Sequence, residues 1–342
     1  MDPRELSVID FFSGCGGTSQ GFKDAGMNIV AGIDFDPDSA ETFRNNFPGA
    51  EFIEADIRKV RVEQVRELMP DSPTLFAGCA PCQPFSRQNK TTTAQDPRRN
   101  LLYEFSRFVR ALRPELVVIE NVPGLQNPKK GGPLEDFLAA LAEDEYVSKV
   151  SILRALEFGV PQERKRLVIV ASRIGSPELP EATHVANGVP ATTVRQFIYD
   201  GLPAIGDGEV HAVDPDHAAM RLSEINKTRI RATPEGGDRR NWSKDLVLPC
   251  HTEHGGHTDT YGRMWWDRPA SGLTTRCISY SNGRFGHPEQ HRAISLREAA
   301  CLQTFPRDFR FSGTLTSKAR QVGNAVPPLM ARRIGERLAA GV

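Results

Sequence analysis

The 342-residue sequence is poor in cysteine, with Cys15, Cys79, Cys82, Cys250, Cys277 and Cys301 as its full complement. Six scattered cysteines in so long a chain exclude the disulfide framework of a small secreted scaffold and predict free thiols in a reducing compartment. Long hydrophobic runs are missing too, since "LVVIENV" and "RLVIVAS" are strand-sized, and no membrane partner is expected. The opening "MDPRELSVIDFF" carries Asp2, Glu5 and Asp10 where a secretory signal would need a basic start and unbroken apolar residues, which predicts a soluble intracellular protein. Net charge is absent, with 43 basic residues against 43 acidic ones, so no long-range field draws in a polyanion and any nucleic-acid site must be local. No histidine precedes His184. Chemistry housed in the first half must therefore find its acid or base among other residues.

What is present is enough apolar residue for a core, 39% of a chain longer than one ordinary core holds, which predicts a large domain and a smaller one. "SVIDFF", "NIVAGID", "EFIEAD", "PTLFAG", "ELVVIENV", "VSKVSIL" and "RLVIVAS" are the predicted strands. Helix-like stretches fall between them near 18–26, 37–46, 61–69, 99–112 and 133–143. Strands alternating with helices imply crossover connections. The expected fold class is α/β, a doubly wound, mostly parallel, Rossmann-like sheet over residues 1–173. Over 174–292 Pro, Gly, Thr and His rise and helical periodicity fades, predicting a smaller loop-rich domain with β-like pieces at "YGRMWW" and "SGLTTRCIS". Over 293–342 helical signals resume, first at "SLREAACLQTF", where Ser295 and Glu298 fit a capping box, and again after Pro327 and Pro328. This last segment is expected to return to the first domain.

Ligands of such sheets sit beyond the C-terminal ends of the strands, so those loops carry the candidate chemistry. In "DFFSGCGGTSQGF", Gly14, Gly16 and Gly17 follow a strand and precede a helix, where backbone comes close to a ligand. A dinucleotide fingerprint from Gly14 would need glycine at 19, where Ser19 stands. Asp34, twenty residues after Gly14 at the end of the next strand, can take ribose hydroxyls, and Asp56 can meet an adenine amino group, which together point to a nucleoside without phosphates. The competing reading is that both acids merely cap helices.

"FAGCAPCQPFS" poses a choice between a metal clip, a redox pair and a single nucleophile. A second CxxC is missing, and the other dense donor cluster, "CHTEHGGH" at 250–257, matches known ligand spacings poorly, so no metal is expected. Pro81 and Pro84 bracket Cys82, unlike a thioredoxin-type pair. A lone nucleophilic Cys82 accounts for the stretch best, because a thiolate is suited to adding to an electron-poor ring carbon. Glu120, followed by Asn121 in "ELVVIENV", is the candidate acid beside it, and Arg166 in "PQERKRLVIV" can hold a carbonyl oxygen of the same ring.

Taken in order, "DFFSGCGG", "GID", "PCQPFS", "ENV", "QERKR", "REAACLQTFP" and "QVGNAVPP" resemble the cytosine-C5 DNA methyltransferase family. The resemblance implies a bacterial-type enzyme that uses S-adenosylmethionine to methylate C5 of a flipped-out cytosine in double-stranded DNA. It makes Cys82 the nucleophile on C6, sets Glu120 on N3 and the exocyclic amine and Arg166 on O2, and gives Arg164 and Asn121 supporting places in the catalytic site. Phe12, Ser13, Gly14, Cys15, Gly16, Gly17, Asp34, Phe35, Asp56, Ile57, Pro81, Asn324 and Ala325 become the expected cofactor-binding residues. Gln83, Ser86, Arg87 and Arg98 become expected DNA contacts on a loop that closes over the extruded base.

The gap in the family motifs, about 174–292, falls where the family's variable target-recognition region lies. There Thr274 and Arg276 are candidate base readers, whereas Trp265 and Trp266 read as core. The resemblance further implies a monomer in the cytoplasm, associated with the nucleoid, and a companion restriction or defence nuclease acting on the same site. Two alternatives stay open from sequence: a transfer-RNA cytosine-C5 methyltransferase, and a nucleic-acid-binding relative without catalysis.

Overall fold

The computed structural model describes residues 1–80, 101–126, 132–252 and 258–341. The chain divides into two compact units, one made of Met1–Phe158, Lys165–Ala182 and Ala325–Val342, the other of Gly159–Arg164 and Thr183–Asn324. The strands of the first unit are β1 (Ser7–Phe11), β2 (Asn28–Asp34), β3 (Glu51–Glu54), β4 (Thr74–Gly78), β5 (Leu116–Asn121), β6 (Val147–Arg154) and β7 (Lys165–Ser172). Its helices up to residue 158 are α1 (Gly17–Asp24), α2 (Pro37–Asn46), α3 (Val62–Arg66), α4 (Leu101–Leu112) and α5 (Pro133–Glu143). The second unit carries α6 (Val194–Ile198), α7 (Glu224–Arg231), α8 (Pro249–Thr252), α9 (Leu296–Leu302) and α10 (Leu315–Asn324), and α11 (Pro328–Ala340) belongs to the first.

All seven predicted strands form, in the spatial order β3-β2-β1-β4-β5-β7-β6. β1, β4 and β5 are buried at every position, as parallel strands with both faces covered must be. The edge strand β6 is exposed or half-buried at every position but Leu153 and presents Lys149 to solvent, which discourages edge pairing with another chain. Neighbours from β3 through β5 run parallel. β7 runs antiparallel to both β5 and β6, a reversal that the apolar run "RLVIVAS" cannot encode by itself.

One apolar cluster joins Phe11, Phe76, Phe105 and Phe108, so that α4 covers β1 and β4. On the other face α1 and α11 approach closely: a Cβ added at Gly21 would stand 2.3 Å from the Pro328 carbonyl oxygen, so only glycine fits. Pro328 opens α11 at a position where its missing N–H costs nothing. No described helix is long and apolar enough to cross a membrane.

The second unit solves its backbone problem differently. "YGRMWW" and "SGLTTRCIS", expected as β-like pieces, form only the two-residue strand Ala270–Ser271, paired with Gln162–Glu163, and a bridge between Arg263 and Gly286. Buried guanidinium groups take over the carbonyls that a sheet would have paired. Arg263, 2% exposed, donates to the carbonyls of Ile230, Thr233, His287 and Gln290. Arg284 reaches those of Gly236, Gly237 and Arg263. Five fixed N–H groups per guanidinium make arginine suited to this task. Most of the arginines buried here are thus structural and cannot also read bases. Trp266 is buried as expected, while Trp265 is half-buried between the guanidinium groups of Arg268 and Arg284.

The predicted capping box at α9 forms, with Ser295 Oγ accepting from Glu298 N at 3.0 Å and Glu298 Oε2 accepting from Ser295 N at 2.7 Å. Arg292 grips the same carboxylate through two bonds of 2.7 Å. Burial alone would raise the Glu298 carboxyl, but the Arg292 hydrogen bonds and charge outweigh it and hold it down to about 2. The unfolded chain therefore takes up this proton at higher pH than the native one does. The stability it contributes is complete above the ordinary glutamate range and drains away as pH falls toward 2. We expect the stability gap between wild type and Glu298→Gln, read by urea unfolding, to narrow by about 2 kcal/mol between pH 6 and pH 3. A gap that does not change with pH would contradict the assignment.

Candidate active site

The strand order reverses direction between β1 and β4, so the loops leaving their C-terminal ends diverge and open a crevice. Register places Phe11 beside Ile33 and Gly78, and Gly78 beside Ile119. The loop after β1, Asp34 after β2, Cys79 after β4 and Glu120 on β5 therefore share one rim.

The loop after β1 is held in an unusual backbone shape. Phe12, Gly14 and Gly16 all have left-handed φ, at 56°, 52° and 91°, a conformation that is costly for phenylalanine. A Cβ at Gly14 would meet nothing within 4 Å, whereas one at Gly16 would collide with the Phe47 ring at 2.5 Å. Gly14 N donates to Asp34 Oδ2 and Asp36 N to Asp34 Oδ1, both at 3.0 Å. Burial raises the Asp34 carboxyl and these backbone bonds oppose it. Phe35 next to it is 68% exposed. Ser13 and Cys15 are buried in the turn, and Ser13 Oγ has no hydrogen-bond partner. Gly17 is the first residue of α1. Asp56 caps the short turn Ile57–Lys59 and pairs with Arg58. That is the capping alternative foreseen for it, with the side chain still 28% exposed. Ile57 is buried below.

The centre of the rim is Glu120. Because β7 runs antiparallel, its first residues arrive where β5 ends, with Asn121 opposite Leu167, and Arg166 comes to Glu120. Arg166 Nε lies 2.6 Å from Glu120 Oε1. The contact is an ion pair, and this buried oxygen has no hydrogen-bond partner. The Cys79 thiol donates to Glu120 Oε2 at 3.1 Å. Asn121 donates to the Ala80 carbonyl at 3.1 Å and accepts from Val122 N. Its amide thus fixes the backbone that leads toward residue 81. A buried carboxylate with one oxygen held and the other unbonded can accept a hydrogen bond from a ligand N–H or, protonated, donate one to a ring nitrogen.

Arg164, Thr274, Arg276 and Asn324 belong to the second unit. Arg164 is buried and donates to the carbonyls of Leu273 at 3.0 Å, Gly323 at 3.2 Å and Asn324 at 3.5 Å. It ties the segment at Leu273 to the last turn of α10, and the two touch where a Cβ at Gly323 would stand 2.0 Å from the Thr274 oxygen. Arg276 and Asn324 are exposed and Thr274 is half-buried. Pro81, Cys82, Gln83, Ser86, Arg87 and Arg98 lie outside the described residues, as do His254 and His257.

Two residues escaped the sequence reading. Cys79 is no idle neighbour of Cys82, and the CxxC spacing gives no hint of its bond to Glu120. Asp10, fully buried in β1, accepts from Ser19 Oγ at 2.6 Å while its Oδ1 has no partner. Burial pushes its carboxyl up to about 7. A lone acid inside the apolar run "VIDFF" was the available signal.

The pattern of the C-5 cytosine-specific DNA methylase family matches residues 6–340. The chain is 39% identical to the Type II methylase M.HgiDII of Herpetosiphon aurantiacus, with 97% of this chain and 94% of that one covered. It is 32% identical to the Type II methyltransferase M1.HphI of Haemophilus parahaemolyticus, over 97% of this chain and 86% of that relative. A crystal structure of a prophage-encoded E. coli protein shares the fold with a TM-score of 0.78 at 23% identity, covering 98% of this chain and 99% of that one.

Replacing Gly16 should distort the turn, because alanine there meets both the left-handed backbone and the Phe47 ring. Gly16→Ala is expected to cost about 2 kcal/mol in thermal unfolding. An unchanged melting temperature would show that the turn tolerates a side chain there.

Proposed function

Because the chain belongs to the C-5 cytosine-specific DNA methylase family, we propose that it methylates C5 of a cytosine extruded from duplex DNA, with S-adenosylmethionine as methyl donor. The observation that carries this reading is the buried Glu120 carboxylate, with Oε1 unbonded beside Arg166 and Oε2 held by Cys79. A cytosine presents an amine, a ring nitrogen and a carbonyl along one edge, and a carboxyl flanked by a guanidinium matches that sequence of groups.

The rim also suits the cofactor. The open space beside Gly14, the half-buried Asp34 and the exposed Phe35 ring fit a ribose and an adenine. S-adenosylmethionine, when bound, supplies a methyl group on a sulfonium centre.

The chain's own residues divide the remaining work. Cys82, assigned by its motif, adds as thiolate to C6, and the electron pair moves toward C5. Glu120 holds N3 and the exocyclic amine and offsets charge on the ring, while Arg166 meets O2. Once C5 is alkylated, loss of its proton expels Cys82 and restores the aromatic ring. Asn121 and Arg164 act through backbone: Asn121 holds the Ala80 carbonyl, and Arg164 holds those of Leu273 and Gly323. Arg276 and Thr274 contribute to base reading on residues 174–292, and Arg87 and Arg98 to phosphate contacts. Two relatives named as Type II enzymes support a role in marking DNA against a companion nuclease, in a bacterial cytoplasm.

Bisulfite sequencing of plasmid DNA from cells expressing the chain should reveal 5-methylcytosine in one short sequence context. Unmodified plasmid alongside methylated transfer RNA would overturn the choice of substrate. Asp34→Ala should weaken S-adenosylmethionine binding more than tenfold while leaving duplex affinity within twofold, and equal cofactor affinity would remove Asp34 from the cofactor site.

A further inference from the structure

We propose that Cys79 is a positioning residue for methyl transfer, setting the rotation of the Glu120 carboxylate through its thiol. The inference rests on the reading of Glu120 given above and deepens it. The terminal torsion of a glutamate is broad and roughly twofold, so a carboxylate at the end of a strand does not choose which oxygen it offers. Here the choice is made by two neighbours. The Cys79 S–H donates to Oε2 at 3.1 Å, and Arg166 Nε stands 2.6 Å from Oε1 without a directed hydrogen bond. Oε1, the oxygen without a hydrogen bond, is then the one offered to the ring edge.

The backbone around Cys79 holds the thiol in place. Cys79 N donates to the Phe11 carbonyl at 3.3 Å, which ties the residue to β1, and the Asn121 amide grips Ala80 just after it. Gly78 before it is tightly packed, since a Cβ there would lie 3.1 Å from the Phe105 ring. A proton shared with a carboxylate stays on sulfur, so Cys79 serves as a donor and leaves the nucleophile's part to Cys82. The two cysteines of "CAPC" thus have separate duties: one aims the acid, the other attacks the ring.

The test compares Cys79→Ala, Cys79→Ser and Glu120→Gln in the full-length enzyme, with kcat and KM measured on duplex DNA carrying the methylated sequence. Losing one hydrogen bond to a charged group should lower the Cys79→Ala kcat roughly tenfold, with KM for DNA and cofactor affinity within twofold of wild type. Cys79→Ser, whose hydroxyl can still donate, should recover most of that loss. A change confined to packing would not be rescued by a smaller, more polar residue, and equal losses in both Cys79 variants would overturn the proposal. So would a wild-type kcat in Cys79→Ala while Glu120→Gln abolishes turnover. If Glu120→Gln itself retains full kcat, it is the assignment of Glu120 that fails.

Discussion

The ion pair between Glu120 and Arg166 exists because one strand runs the wrong way. In a purely parallel sheet the start of every strand lies at the rim opposite the ligand crevice, and a residue at position two of a strand could not reach the end of its neighbour. β7 is inserted antiparallel between β5 and β6, so its first residues arrive at the C-terminal rim. Arg166 then stands against Glu120 with side chains 17% and 7% exposed. A charge pair so poorly hydrated is costly unless other groups share the load. Cys79 does so on one oxygen. The other oxygen, still without a hydrogen bond, is where a substrate can lower the energy of the site.

The two units satisfy their backbones by different means. The first uses ladder bonds between strands, and its side chains are left to build an aromatic core around Phe11 and a rim for ligands. The second has little sheet and spends buried arginines on its carbonyls instead. Arg263 serves four of them, and Arg164 joins the segments around 273 and 323. Such a unit can vary its exposed loops without disturbing a strand register, provided the guanidinium anchors stay.

Much of this was legible beforehand, for identifiable reasons. Strands buried on both faces announce themselves as apolar runs, and the Ser295–Glu298 box and Pro328 mark helix starts through local chemistry. Glu120 and Arg166 stood out because polar groups at the ends of apolar runs have few structural uses, and the two side chains do meet, at 2.6 Å. The direction of β7 was not legible, because an apolar run looks the same in either orientation. α10 was missed, and "SGLTTRCIS" was misread, because the partners that decide both lie far away in sequence. Buried arginines are hard to foresee at all: Arg229 and Arg239 are both only 7% exposed, although arginine is by composition a surface residue. Their burial becomes affordable only through carbonyls that the finished fold brings to them.

If this rim presents a cytosine ring to the sulfur of Cys82, a duplex carrying 5-fluorocytosine at the methylated position traps the adduct, since C5 bearing fluorine cannot lose a proton and the sulfur cannot be expelled. With S-adenosylmethionine present, peptide mapping by mass spectrometry should find the DNA covalently attached at Cys82. Absence of any adduct from an active preparation, or attachment at Cys79, would contradict it.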